Sequence, residues 1–375
     1  MLRNIINVMQ CTNLGGMEQV SYRIMRGLVK GNKGLRFRIT TPRPFGNGKK
    51  FIDEFDPGAR AFPYLGRFGW RSYDVFSCHI QKLSRECSHI WVTGTCAASL
   101  AAIRRVKMPK VLSHHYHHFE NSTSRLKWSG FYELLCRGLS AVTFPTAFTC
   151  DEALRIAPWL KKKAHVVPNG FDVFFQGEEE RLKLQQLARQ SLKLPQQAWI
   201  VMNAGWLVPR KRFDIFLRTV AEVKNRLPES YFVICGSGML EAQLKRLAED
   251  LGLGRSVRFT GWVDDLSLYY KASDVLLFNS DFDTLPCAPM EAASYGCLVV
   301  ASLAYGGLAE FIDHEITGFL FDKHDTDLLA SSILRLAHDG TLSRNFREAA
   351  VRRLTHDYSM ENGLAFYKDF FGSAN

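Results

Sequence analysis

The sequence predicts an α/β protein made of two doubly wound, mostly parallel sheets. Short apolar runs alternate with longer amphipathic stretches through most of the chain. The alternation stops once, in a polar stretch from Gly177 to Gln197, and then resumes. The length, 375 residues, suits two domains at roughly 100–200 residues each. In order, the first-half strands are Arg3–Met9, Arg36–Thr40, His89–Thr93, Val111–Ser113, Ala141–Phe144 and His165–Pro168. Helical patterns lie at Glu18–Lys30 and Arg125–Leu139. The second series has strands at Trp199–Ala204, Tyr231–Cys235, Ser256–Thr260, Val275–Asn279, Val299–Ser302 and Phe319–Phe321. Its helices are Arg212–Arg226, Leu240–Leu251 and Pro289–Tyr295, and Ser359–Phe371 reads as a last amphipathic helix. The expected domains are residues 1–170 and 171–355, with a tail, 356–375, packing back on the first. In open α/β sheets the ligand crevice lies at the carboxyl ends of the strands, so a cleft between the two sheets is the expected site.

Hydrophobic residues make up 46% of the chain and charged residues 23%, which excludes a disordered protein. The longest apolar runs, such as Asp274-Val-Leu-Leu-Phe-Asn279, fall far short of the about 20 residues of a membrane span. Met1–Met9 has no signal-peptide pattern and reads as a first strand. The nine cysteines form no CxxC pair, which argues against structural zinc and a disulfide framework and for a reducing cytoplasm. Charge is unevenly divided. Residues 1–170 hold 26 Lys or Arg against 10 Asp or Glu, while the remainder holds 22 against 27. A first half at +16 points to an anionic partner.

Three loops follow strands and carry ligand-binding residue types. Asn13-Leu-Gly15-Gly16-Met-Glu18 opens a helix, where paired glycines and free N–H groups suit an anion. Asn203-Ala-Gly205-Trp206-Leu-Val-Pro-Arg210-Lys211-Arg212 sets three cations at a sheet edge, suited to a pyrophosphate. Cys235-Gly236-Ser-Gly238 can wrap a nucleotide but lacks the third glycine of the dinucleotide fingerprint. Further on, Asp283 and Glu291 are separated by seven residues, the first on a loop and the second in a helix beginning near Pro289.

These pieces resemble a family 4 retaining glycosyltransferase of the GT-B architecture, the glycosyl transferases group 1. Val166-Val-Pro168-Asn169-Gly170-Phe-Asp172, Gly261-Trp-Val-Asp-Asp265, Ala272-Ser-Asp274-Val, Glu291-Ala-Ala, Gly306-Gly307-Leu-Ala-Glu310 and Gly318-Phe-Leu occur in the family's order. The resemblance implies that Gly15 and Gly16 lie against donor phosphates and that Lys211 contacts the pyrophosphate. It places Asp283 near the transferred sugar and Glu291 on the nucleotide ribose. It also places His115 near the reacting sugar, with His114 as the adjacent alternative, and Val263 beside the base. Gly236, Leu285 and Pro286 complete the expected donor site. Two positions depart from the family. Asp283 stands where a glutamate is usual, and Trp206 stands near the place of an arginine whose charge Arg210 or Arg212 would supply.

The implied reaction moves a sugar from a nucleotide-diphosphate donor, UDP-linked by expectation, to a hydroxyl of a glycan or lipid-linked glycan. The implied setting is bacterial lipopolysaccharide or surface polysaccharide assembly. No cofactor and no metal are expected, and no nucleic-acid partner. Four histidines among His114-His115-Tyr116-His117-His118 lack a clear acidic partner other than Glu120. Cations beside aromatics at Arg60–Arg71, Arg125–Tyr132 and Trp159–Lys163 suit an anionic membrane surface, hence a peripheral place on the inner face of the cytoplasmic membrane. A sugar-nucleotide epimerase of the same fold is the alternative reading. A basic nucleic-acid-binding protein leaves the ordered motifs of the second half unexplained.

Overall fold

The computed structural model describes residues 3–13, 15–63, 69–116 and 122–372. It divides into two compact units, Met1–Gly170 with Met360–Asn375, and Phe171–Ser359. The division falls at 359/360 rather than 355/356, because the helix Gly340–Asp357 belongs to the second unit and Tyr358 is buried there, bonded to the Glu310 carbonyl.

The first unit holds β1 (Arg3–Met9), β2 (Leu35–Thr41), β3 (Arg60–Ala61), β4 (His89–Thr93), β5 (Lys110–Ser113), β6 (Ala141–Phe144) and β7 (Ala164–Val166). They form one parallel sheet in the order β3-β2-β1-β4-β5-β6-β7. Only β3 escaped sequence analysis, since two residues cannot display an alternation. Ile6, Val8, Ile90, Val92, Leu112, Val142 and Phe144 pack under one face. Against Trp91 and β5 lies the final helix, Met360–Gly372. Its Tyr367 hydroxyl sits 2.7 Å from Ser113 Oγ and 3.1 Å from Thr143 Oγ1.

The second unit holds β8 (Trp199–Ala204), β9 (Ser230–Cys235), β10 (Val257–Gly261), β11 (Val275–Asp283), β12 (Leu298–Gly306) and β13 (Phe319–Phe321). Its parallel order is β10-β9-β8-β11-β12-β13. The strand order reverses between β8 and β11, and the crevice beyond their carboxyl ends is where such sheets bind ligands. Alternate residues feed two cores: Ile200, Met202, Leu276 and Phe278 on one face, Val201, Phe232, Val275 and Leu277 on the other. Burial on both faces explains why these strands read as unbroken apolar runs. The polar stretch after Gly177 is the helix Glu178–Leu192, and it is anchored. Arg189 reaches through it to Asp274 Oδ2 at 2.8 Å and to the carbonyls of Ala272 and Gln196.

Candidate functional site

The carboxyl edge of the second sheet gathers most of the expected donor residues. At the carboxyl ends of β8, β9 and β10 three glycines stack their backbones. Gly205 N–H donates to the Cys235 carbonyl and Gly236 N–H to the Gly261 carbonyl. A Cβ on Gly236 would stand 1.9 Å from the Gly205 carbonyl oxygen, so no side chain fits there. Trp206 and Trp262 follow two of these glycines and pack their rings with centroids 4.6 Å apart. Val263 is half-buried against the apolar core beside them.

The three cations after β8 part company. Lys211 Nζ lies 2.6 Å from Asp283 Oδ2, and Arg210 Nη1 lies 3.1 Å from the same oxygen. Arg210 also donates to the Phe282 carbonyl, and the Ser280 hydroxyl adds a third bond to Asp283. Arg212 turns elsewhere. It bonds both oxygens of Asp214 and one of Asp281, so Arg210 is the cation that accompanies Lys211. Burial pushes the Lys211 amine below its ordinary pKa although Asp283 opposes this. Burial also opposes charge on Asp283, but Lys211 and Arg210 outweigh it and hold the carboxyl below its ordinary value. The result is a compact, largely buried pair with an accessible arginine: side-chain exposure is 12% for Lys211, 16% for Asp283 and 37% for Arg210.

Asp283 is the last residue of β11, not a loop residue, because β11 pairs with β12 out to Gly306. A Cβ at Gly306 would stand 1.8 Å from the Asp283 carbonyl oxygen, which keeps this position a glycine. The next helix, Cys287–Ser294, starts before Pro289, with Pro286 as its N-cap. Proline is tolerated there because first-turn N–H groups have no partner inside the helix. Leu285 and Pro286 are buried under the turn. Glu291 lies one helical turn on, half-exposed, with Oε2 accepting from the buried Tyr270 hydroxyl at 3.0 Å.

In the first unit, Gly15 caps the helix Gly16–Gly31 in an extended conformation. The chain's own Glu18 reaches back to this helix start, where its carboxyl accepts from the Gly15 and Glu18 N–H groups. The anion-binding capacity read into this turn is thus partly taken by Glu18, which the sequence motif includes without showing that it caps the helix. Burial raises the Glu18 pKa to about 7 from its ordinary 4.5, against those two bonds. Folding then binds a proton between these values that the unfolded chain releases. Stability from this group is full below pH 4.5 and falls as pH rises to about 7, by roughly 3 kcal/mol at most. Glu18→Gln removes that slope. Urea unfolding should find the variant's advantage over wild type growing from pH 5 to pH 8, and a constant difference would contradict the assignment.

His115 follows β5 at the carboxyl edge of the first sheet, half-buried, and burial lowers its pKa to about 4, so it is neutral at physiological pH. The alternative, His114, is enclosed among Trp128, Tyr132 and Phe144 and is 0% exposed, which removes it from any ligand surface. His117, His118 and Glu120 lie outside the described residues, as do Tyr64 to Phe68 of the first aromatic stretch. Among the described residues no group of three His, Cys, Asp or Glu is placed to hold a metal ion. In the second aromatic stretch Trp128 and Tyr132 are core, while Leu126 and Leu134 are 76% and 68% exposed beside Arg125, Lys127 and Arg137. Trp159 donates to Glu133 and lies under Arg137. Lys163 is structural, with Nζ donating to the carbonyls of Arg137 and Leu139, whereas Lys161 and Lys162 are exposed.

Two family models match the chain: Glycosyltransferase Family 4 over residues 14–174 and Glycosyl transferases group 1 over residues 185–353. The chain is 31% identical over 185 residues to the lipopolysaccharide core biosynthesis glycosyltransferase LpsD of Rhizobium meliloti, covering 49% of this chain and 52% of LpsD. It is 27% identical over 291 residues to the UDP-Gal:alpha-D-GlcNAc-diphosphoundecaprenol alpha-1,3-galactosyltransferase of Escherichia coli, covering 74% and 71%. The chain spans about half the length of several curated relatives that it matches. Among solved structures, Anabaena HepE in complex with UDP-glucose superposes with a TM-score of 0.82 at 18% identity, over 99% of this chain and 100% of HepE. Among the described residues no helix is long and apolar enough to cross a membrane.

Proposed function

The chain belongs to the family 4, group 1 glycosyltransferases of GT-B fold, and from that premise we propose that it transfers a sugar from a UDP-sugar to a hydroxyl of a lipid-linked glycan, with retention at the anomeric carbon. One observation carries the reading. Lys211, Arg210 and Asp283 converge where the second sheet's strand order reverses, between β8 and β11. A uridine diphosphate is favoured over other donors because HepE is solved with UDP-glucose and the Escherichia coli relative is named for UDP-Gal. The lipid-linked acceptor and a lipopolysaccharide or surface-polysaccharide setting follow the names of the Escherichia coli enzyme and LpsD.

In the proposed reaction the bond between the anomeric carbon and the phosphate oxygen breaks. Negative charge grows on the leaving diphosphate, and Lys211 and Arg210 meet it. The acceptor oxygen bonds to the anomeric carbon on the face the phosphate leaves, and its proton passes to the departing phosphate oxygen. Asp283 keeps both cations at that spot and lies beside the transferred sugar. Glu291 takes the ribose hydroxyls. On the second unit the backbone at Gly236 leaves room for the donor, with Val263 at the base and Leu285 and Pro286 beneath the phosphates. No divalent metal enters this scheme.

Glu291→Gln tests the donor site with the fold preserved, since the amide oxygen can still accept from Tyr270. Calorimetry should find UDP bound at least 10-fold more weakly than by wild type, as expected for a lost charge-assisted bond. Unchanged affinity would remove Glu291 from the ribose. We place the acceptor lipid at an anionic bilayer, supported by the exposed Leu126 and Leu134 amid Arg125, Lys127, Arg137, Lys161 and Lys162. At about 1 kcal/mol per cation, changing Lys161 and Lys162 to Gln should reduce sedimentation with phosphatidylglycerol vesicles roughly 30-fold. Intact binding would retire this face.

A further inference from the structure

The basic turn after β8 is held by a line of side chains that the proposed chemistry does not use. It starts inside the second unit, where Asn279 on β11 donates to Ser302 Oγ on β12 at 2.8 Å, the two residues being in register. Ser302 Oγ lies 2.7 Å from His324 Nδ1, just beyond β13. His324 Nε2 lies 3.1 Å from Asp281 Oδ1, and the same oxygen accepts from Arg212 at 3.2 Å. Arg212 closes the line with two bonds to Asp214.

The hydrogens can run in one consistent direction. Ser302 accepts from Asn279 and gives its single proton to Nδ1, so neutral His324 carries its proton on Nε2 and donates it to Asp281. The order Ser-His-Asp is also that of a nucleophile triad. Ser302, however, is 0% exposed within a strand, out of reach of any substrate. The line is therefore a brace, and what it braces is strained. Arg212 has φ 45° and ψ 45°, the left-handed region that side chains disfavour. Its backbone ends the short turn Pro209–Lys211, so its conformation sets the direction of both cations on Asp283.

We propose that His324 is a positioning residue. Through Asp281 it holds Arg212 in the left-handed conformation and so keeps Lys211 and Arg210 converged on Asp283. The brace stands on this geometry; only what the converged cations bind rests on the proposed donor. Residue 324 drew no attention in the sequence, because its partners lie 43 and 22 positions away.

The test uses the full chain labelled with ¹⁵N. The Arg212 Nη1–H resonances, which report the bond to Asp281 and are assigned by their loss in Arg212→Lys, should exchange with solvent at least 10-fold faster in His324→Ala than in wild type. His324→Gln, whose amide can still donate to Asp281, should restore slow exchange, and melting curves check that each variant folds. Affinity for inorganic pyrophosphate should fall about 10-fold in His324→Ala and in Asp281→Asn, and no further in the double variant, as for residues acting in one line. Unchanged Arg212 exchange in His324→Ala, or additive losses in the double variant, would overturn the proposal. If wild type binds neither UDP nor pyrophosphate, the donor reading fails, and the Arg212 exchange rates alone then decide for or against the brace.

Discussion

Replacing Lys211 with methionine should lower turnover by roughly 10²- to 10³-fold, the range seen when one preorganised donor to a developing anion is removed. Methionine nearly fills the volume of the lysine stem, which is only 12% exposed, so packing is largely kept while the charge goes. The loss should fall on kcat more than on KM, because the charge counts most when the diphosphate departs. Asp283 would keep Arg210 and the Ser280 hydroxyl as partners. Arg210→Met should cost less, since Arg210 is more exposed and lies 3.1 Å from Asp283 rather than 2.6 Å. Steady-state release of nucleotide from a matched donor is the readout. Near-normal turnover in Lys211→Met with a dead Arg210→Met would transfer the role to the arginine.

The second large effect is on stability. Asp274→Ala should cost about 3–5 kcal/mol in urea unfolding, the usual result of stripping one partner from a buried ion pair. Asp274 accepts from Arg189 at 2.8 Å, from the Ile200 N–H at 2.8 Å and from Gln185 at 2.8 Å. Both charged side chains are less than a tenth exposed, so the orphaned guanidinium could not turn to water without moving its helix. Removing both charges, with Arg189→Met and Asp274→Leu together, should cost much less than the single change. A single-variant loss below about 1 kcal/mol would mean that the helix Glu178–Leu192 is not anchored through this pair.

That anchor shows what the sequence made legible and what it hid. The Asp274 motif stood out as part of an ordered set, but its physical purpose did not, since Arg189 sits 85 positions earlier in a stretch that reads as a polar interruption. The strands of the second unit were legible because burial on both faces makes them continuous apolar runs. Strand ends were less legible: β11 and β12 run several residues past their apolar runs, which carried Asp283 from an expected loop onto a strand. Arg210, Lys211 and Arg212 looked equivalent as a run of three cations. Only the left-handed backbone at Arg212, with Asp214 and Asp281 around it, separates them. Likewise Trp206 reads as a missing arginine until Trp262, from another loop, is found against its ring. Of the cations and aromatics read as one surface, Trp128, Tyr132 and Lys163 turned inward, a distinction that composition does not carry.

Under the proposed function, the second unit's sheet edge binds the diphosphate of a uridine nucleotide. Thermal unfolding of the full chain with UDP, GDP, ADP and inorganic pyrophosphate tests it most directly. At 100 times its dissociation constant UDP should add about 2.7 kcal/mol of stability, more than GDP or ADP at the same concentration. Absence of stabilisation by any of the four would contradict it.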